Sequence, residues 1–123
     1  MRIILADHRQ LVRDGLRYLI ESSGYELVGQ TASIDELREA VSLHRPQAVV
    51  LGLVGDSHEQ LDLAQSLVRQ SPGLGVLVIA AIPVPEHRVQ ILAQRSVLVL
   101  SPRVGFDDLR DALDKLAAGG TEL

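Results

Sequence analysis

Five short runs rich in β-branched residues alternate strictly with five stretches of helical period, and this alternation constrains the fold more than any other feature of the chain. The runs predict strands at Arg2–Ala6, Tyr25–Thr31, Gln47–Leu53, Gly75–Ile82 and Ser96–Leu100. Four are apolar nearly throughout, as strands covered on both faces must be. Tyr25–Thr31 is mixed, with Leu27 and Val28 among Glu26, Gly29 and Gln30, which is the pattern of a half-exposed edge strand. Between the runs the apolar positions fall on helical stripes. They are Leu11, Val12, Leu16, Leu19 and Ile20 in 9–22, and Ile34, Leu37 and Val41 in 33–44. Leu61, Ala64, Leu67 and Val68 follow in 58–70, Val89, Leu92 and Ala93 in 84–94, and Phe106, Leu109, Leu113 and Leu116 in 105–118. Ser33 with Glu36 three residues on reads as a capping box, and Pro46 ends the second helix.

Strict alternation with short connections calls for right-handed crossovers and a parallel sheet with helices on both faces. The expected class is α/β, a flavodoxin-like (βα)5 doubly wound sheet of strand order 2-1-3-4-5. Ligands in such sheets sit beyond the carboxyl ends of the strands, at the switch point between the first and third. One domain over residues 1–118 is expected, with 119–123 as the start of a linker or tail.

Composition narrows the chemistry. The chain has 123 residues and no cysteine, which excludes disulfides, thiolate metal sites and a catalytic thiol. Two Tyr, one Phe and no Trp give no stacking platform for bases. A net charge of −4 argues against direct grip on a phosphate backbone. The longest apolar run, Val76 to Ile82, is too short to cross a bilayer, so a cytoplasmic domain is expected. Gly73 and Gly75 mark a turn before a strand rather than a nucleotide loop, and Ser22, Ser23 and Ser101 have no supporting His and acid.

Leu5-Ala6-Asp7-His8-Arg9-Gln10-Leu11-Val12-Arg13-Asp14-Gly15-Leu16 resembles the opening of a bacterial response-regulator receiver domain of the NarL/LuxR class. Arg45-Pro46-Gln47-Ala48-Val49-Val50-Leu51, Phe106-Asp107-Asp108-Leu109 and Leu116-Ala117-Ala118-Gly119 agree with it. The resemblance implies a phosphoacceptor aspartate after the third strand and Mg²⁺ held there and by acids after the first. It also implies a Ser/Thr after the fourth strand and a Lys after the fifth. Such a set has a physical logic: a carboxylate nucleophile, with cations against the charge of the transferred phosphoryl group.

Carried over residue by residue, that site is degenerate. Asp7 matches the first acid, but His8 stands where the second belongs. Gly52 stands at the phosphoacceptor, and Ala80 replaces the Ser/Thr. The Lys position falls on Ser101 or Pro102, and Val54-Gly55-Asp56-Ser57 replaces the usual turn. Glycine offers nothing to phosphorylate, and one carboxylate does not hold Mg²⁺ against six waters.

Asp7 and His8 with Asp56 and His58 form one reading, a relic metal site. The other has Asp7 capping the first helix and His8 in solvent, and it is preferred because no metal-ligand spacing is repeated. Gly52 either opens a small-molecule pocket or is covered by Leu53, Val54 or Ile82, and the filled reading is preferred. Val84, Arg88, Leu98, Leu100 and Arg103 mark an interaction face on the fourth helix and fifth strand. In the family that the chain resembles, the face formed by the fourth helix, the fifth strand and the fifth helix serves homodimers or partner proteins.

The expected function is a regulatory and dimerisation module of a two-component-type transcription regulator, independent of aspartyl phosphate. No enzyme activity, no cofactor and no membrane contact are expected. DNA binding would belong to a further helix-turn-helix domain. A small-molecule sensor and a stand-alone adaptor are the alternatives.

Overall fold

The alternation of buried residues along the first strand sets the layers. Ile3 and Leu5 face one side of the sheet and Ile4 and Ala6 the other, and all four are fully buried. The computed structural model describes residues 1–52, 57–80, 83–101, 103 and 105–118. Its elements are β1 (Arg2–Ala6), α1 (Gln10–Ser22), β2 (Glu26–Thr31), α2 (Ile34–His44) and β3 (Ala48–Leu51). They continue as α3 (Ser57–Gln70), β4 (Gly75–Ile79), α4 (Glu86–Ala93), β5 (Val97–Leu100) and α5 (Phe106–Ala117). The strands form one parallel sheet of order β2-β1-β3-β4-β5, the topology expected of the alternation.

On one face, Ile3, Leu5, Ala48, Val50 and Leu77 cluster with Leu16, Leu19 and Ile20 of α1 and Leu109, Ala112 and Leu113 of α5. On the other, Ile4, Val49, Leu51, Val76 and Val78 meet Leu37 and Val41 of α2, Leu61, Ala64 and Leu67 of α3, and Leu92 of α4. β2 is the half-exposed edge its mixed sequence implies, and a bulge between Ile3 and Ile4 skips one residue of its register.

Strand and helix ends differ from the pattern-based spans by a few residues. Tyr25, Gln47 and Ser96 precede their strands, and β4 stops at Ile79. α4 is shorter than 84–94 because its apolar stripe is thin. Leu11 and Phe106, expected in the core, are 84% and 62% exposed. Both lie in the first turn of their helices, next to the loops that follow β1 and β5.

Local devices hold the ends. Ser33 caps α2 by accepting from the Glu36 N–H at 3.2 Å, while the Glu36 carboxylate reaches the Ala32 N–H rather than that of Ser33. At the other end Arg45 takes a left-handed φ of 46°. The Arg2 guanidinium donates to the carbonyls of His44 (2.7 Å) and Arg45 (3.1 Å), so a cation closes the negative end of the helix.

Tyr25 ties the edge of the sheet to α5 by donating its hydroxyl hydrogen bond to Asp114. Burial pushes this phenol from 10.0 up to about 12, and the Asp114 hydrogen bond and negative charge act in the same direction. The folded chain therefore keeps a proton that the unfolded chain gives up. This contribution is complete below pH 10.0 and is lost as pH rises through about 12. In urea titrations across that window, the stability difference between wild type and Tyr25→Phe should shrink with rising pH. A constant difference would show that the hydroxyl is not coupled to folding.

Candidate functional site

β1 lies between β2 and β3, and backbone pairing runs one residue past β3, onto β1, and one residue past β1, onto β2. The Gly52 N–H donates to the Ala6 carbonyl at 2.7 Å, and the Asp7 N–H to that of Thr31 at 3.1 Å. Asp7 and Gly52 are thereby fixed next to each other at the switch point of the sheet. Ala80 follows β4 and is 2% exposed, its N–H held by the Leu100 carbonyl. Ser101 follows β5, is exposed, and accepts from the Arg103 N–H at 3.2 Å. Asp7, Gly52, Ala80 and Ser101 thus stand at the carboxyl ends of four adjacent strands. Pro102 lies outside the described residues, as do Leu53, Val54, Gly55, Asp56 and Ile82.

Asp7 is fully buried and does not cap α1, whose N-cap is Arg9. Its Oδ1 accepts from the Arg9 backbone N–H (2.8 Å) and Nε (3.2 Å), and its Oδ2 from Arg9 Nη2 (3.1 Å). The guanidinium is therefore forked across both oxygens, the strong geometry for an Arg–carboxylate pair. Arg13 Nη1 donates to the Asp7 backbone carbonyl at 2.7 Å. His8 extends outward, its side chain 57% exposed and its Nδ1 4.0 Å from Asp7 Oδ1.

Gly52 is pressed against this pair. A Cβ built on it would lie 1.9 Å from Asp7 Oδ2, 2.8 Å from Cγ and 3.1 Å from Cβ. The Asp7 carboxylate thus fills the space that a side chain at position 52 would need, and only glycine fits while Asp7 stays where it is.

Gln60 of α3 was not singled out by the sequence pattern. It is 1% exposed, and its amide donates to the Gly52 carbonyl and, at 3.5 Å, to that of Ile79. It thus joins the ends of β3 and β4. Its place one and two turns before Ala64 and Leu67, on their stripe, was the available signal.

The interaction-face residues separate in the fold. Val84 packs against the α2/α3 core, whereas Leu98 and Leu100 pack against the α1/α5 core. Arg88 is half-buried and Arg103 exposed. Beside Ala80 lies a cleft of about 180 Å³ bordered by Val84, Val89, Val99 and Ser101. His58 is exposed, and no group of three or more His, Cys, Asp or Glu able to hold a metal exists among the described residues.

No family model matches the chain. It is similar to the signal receiver domain of the response regulator NarL from Mycobacterium tuberculosis, with a TM-score of 0.78, 22% identity and 96% of each chain covered. The isolated receiver domain of RcsB from Salmonella enterica serovar Typhimurium, with the phosphomimetic BeF3⁻, superposes with a TM-score of 0.80 at 21% identity, covering 97% of this chain and 89% of that one. The chain has the receiver fold. The transcriptional regulatory protein PdtaR of Mycobacterium tuberculosis is 27% identical over 66 residues, which are 54% of this chain and 32% of PdtaR. The chain therefore spans well under half of that relative.

A receiver fold raises the question of Mg²⁺. The described residues do not fit it. The one carboxylate at the tip of β1 has both oxygens on Arg9, the neighbouring His8 brings no carboxylate, and position 52 offers no oxygen from a side chain. No helix among the described residues is long and apolar enough to cross a membrane.

Proposed function

We propose that this chain is the receiver-type regulatory module of a cytoplasmic transcription regulator, and that it works without aspartyl phosphate. The observation that carries this reading is the contact between Gly52 and Asp7, which leaves no room for an acceptor side chain at the tip of β3. Receiver phosphorylation needs a carboxylate nucleophile and cations on the equatorial oxygens, and losing one such group can cost about 10³ or more in rate. Here the nucleophile is absent and Ala80 has no hydroxyl to offer.

The module's output would then be a protein contact, either with a second copy or with a partner, on the face of α4, β5 and α5. The exposed Arg103 and the half-buried Arg88 support that face. RcsB is also known bound to promoter DNA. By analogy, DNA contact here would fall to a further domain rather than to a chain of net charge −4. A small-molecule sensor is less well supported, since the cleft of about 180 Å³ beside Ala80 is smaller than the roughly 300 Å³ at which ligand pockets begin.

The test is intact-mass measurement after incubation with acetyl phosphate and Mg²⁺, with a phosphorylatable receiver as control. No phosphoryl adduct is expected on this chain. A stoichiometric, Mg²⁺-dependent and hydroxylamine-labile adduct would overturn the reading. Light scattering over a concentration series tests the contact, and self-association weakened by Arg88→Glu would support the face.

A further inference from the structure

We propose that Arg9 is a built-in substitute for the divalent cation of a receiver site, holding Asp7 over Gly52 so that the switch point keeps one electrostatic state without metal. The proposal rests on the degenerate-receiver reading above and adds to it the group that does the holding.

A carboxylate with no solvent exposure is costly to ionise unless something nearby carries the opposite charge. Arg9 supplies that charge from two residues away. The chain between β1 and α1 turns so that the backbone N–H of Arg9 and its guanidinium all converge on the same carboxylate, at 2.8, 3.2 and 3.1 Å. The Arg9 side chain is 42% exposed whereas that of Asp7 is fully buried, so the cation on this carboxylate is itself in reach of solvent.

Arg13 strengthens the effect. Its guanidinium donates to the Asp7 backbone carbonyl at 2.7 Å, so a second cation is held on the same residue. The immediate cluster of Asp7, Arg9 and Arg13 carries a net positive charge, which repels a divalent ion. Replacing Arg9 by a neutral side chain removes one unit charge within about 4 Å of the site, which should change divalent-ion affinity at least about tenfold.

Gly52 completes the unit. Asp7 Oδ2 lies 1.9 Å from where its Cβ would be, and that oxygen is the one bound by Arg9 Nη2. Releasing the fork should let the carboxylate swing aside, so Arg9 and Gly52 should be energetically coupled although no side chain at 52 exists to touch Arg9.

Arg9 is thus a positioning residue, and the test includes readouts that a merely structural role would not move. Whole-chain protein would be prepared as wild type, Arg9→Gln, Arg9→Lys, Gly52→Ala and Arg9→Gln/Gly52→Ala. Each would be melted in chelator and in millimolar Mn²⁺, with paramagnetic broadening followed at the amides of Asp7, His8 and Gly52. The wild-type melting temperature should be unchanged by Mn²⁺, with no site-specific broadening. Arg9→Gln should melt lower in chelator, recover with Mn²⁺ and show broadening at those amides. Arg9→Lys keeps the charge and should stay insensitive to Mn²⁺. Gly52→Ala should lower the melting temperature less in the Arg9→Gln background than in the wild type.

Equal Mn²⁺ broadening in wild type and Arg9→Gln would overturn the proposal. So would an Arg9→Gln protein that melts like wild type, or strict additivity of the two substitutions. These outcomes separate from the functional test. An acyl-phosphate adduct that forms equally in chelator would sink the functional reading alone, and metal binding without an adduct would sink only the role of Arg9.

Discussion

Gly52→Asp should remain unphosphorylated and should lose about 3–5 kcal/mol of stability, although it restores the residue type a receiver site calls for. The new Cβ would fall 1.9 Å from Asp7 Oδ2 and 2.8 Å from Cγ, so Asp7 must leave its place. Overpacking of this kind costs about 1–3 kcal/mol by itself. Moving Asp7 also breaks the Arg9 fork and sets a second carboxylate beside the first in a buried place, which raises the cost further. Ala80 still offers no hydroxyl and His8 no carboxylate, so the chemistry has a nucleophile and little else. Urea unfolding reads the first effect and intact mass after acetyl phosphate the second. A Gly52→Asp protein as stable as wild type that accepts a phosphoryl group would show that the switch point is open rather than closed by Asp7.

Leu113→Ala should cost about 2–5 kcal/mol, whereas Phe106→Ala, one residue type larger and on the same helix, should change stability by no more than about 0.5 kcal/mol. Leu113 is fully buried in the cluster that α5 makes with α1 and the sheet, so truncation leaves a cavity that the strands cannot close. Phe106 is 62% exposed in the first turn and loses little contact. The comparison is read from the two urea midpoints. Equal losses would mean that Phe106 is covered by something, such as a second copy of the chain.

These two residues also show where sequence pattern reaches its limit. Both fall on the apolar stripe of α5, and periodicity cannot tell which turn of a helix overhangs the sheet. Inner turns were legible: Leu16, Leu19, Leu37, Leu67, Leu109 and Leu113 are all buried as their spacing implies. Strand order was legible because short crossovers leave few alternatives. Strand ends were less so, since Gln47, Tyr25 and Ser96 are as compatible with a strand as with the loop before it.

The site was legible in its positions rather than in its contacts. Gly52 and Ala80 at the ends of β3 and β4 can be read from the residues alone. How Asp7 is satisfied was not. An acid followed two residues later by an arginine carries no periodic signal, and the preference of Asp for helix caps pointed to the wrong role. The Arg9 fork and the Arg13 contact are made across the short connection from β1 to α1, which the pattern does not describe. Gln60 was hidden for a related reason. A polar residue on an apolar stripe reads as an edge position until the carbonyls of Gly52 and Ile79 are seen to need a donor there.

The most direct measurement is an amide NMR titration of the whole chain with Mg²⁺ and beryllofluoride, the stable mimic of an acyl phosphate. A closed, cation-independent switch point predicts unchanged resonances for Asp7, Gly52, Ala80 and Ser101 up to saturating reagent. Saturable shifts at those amides, spreading into α4 and β5, would contradict the account and show that the tip of this sheet still receives a phosphoryl-like ligand.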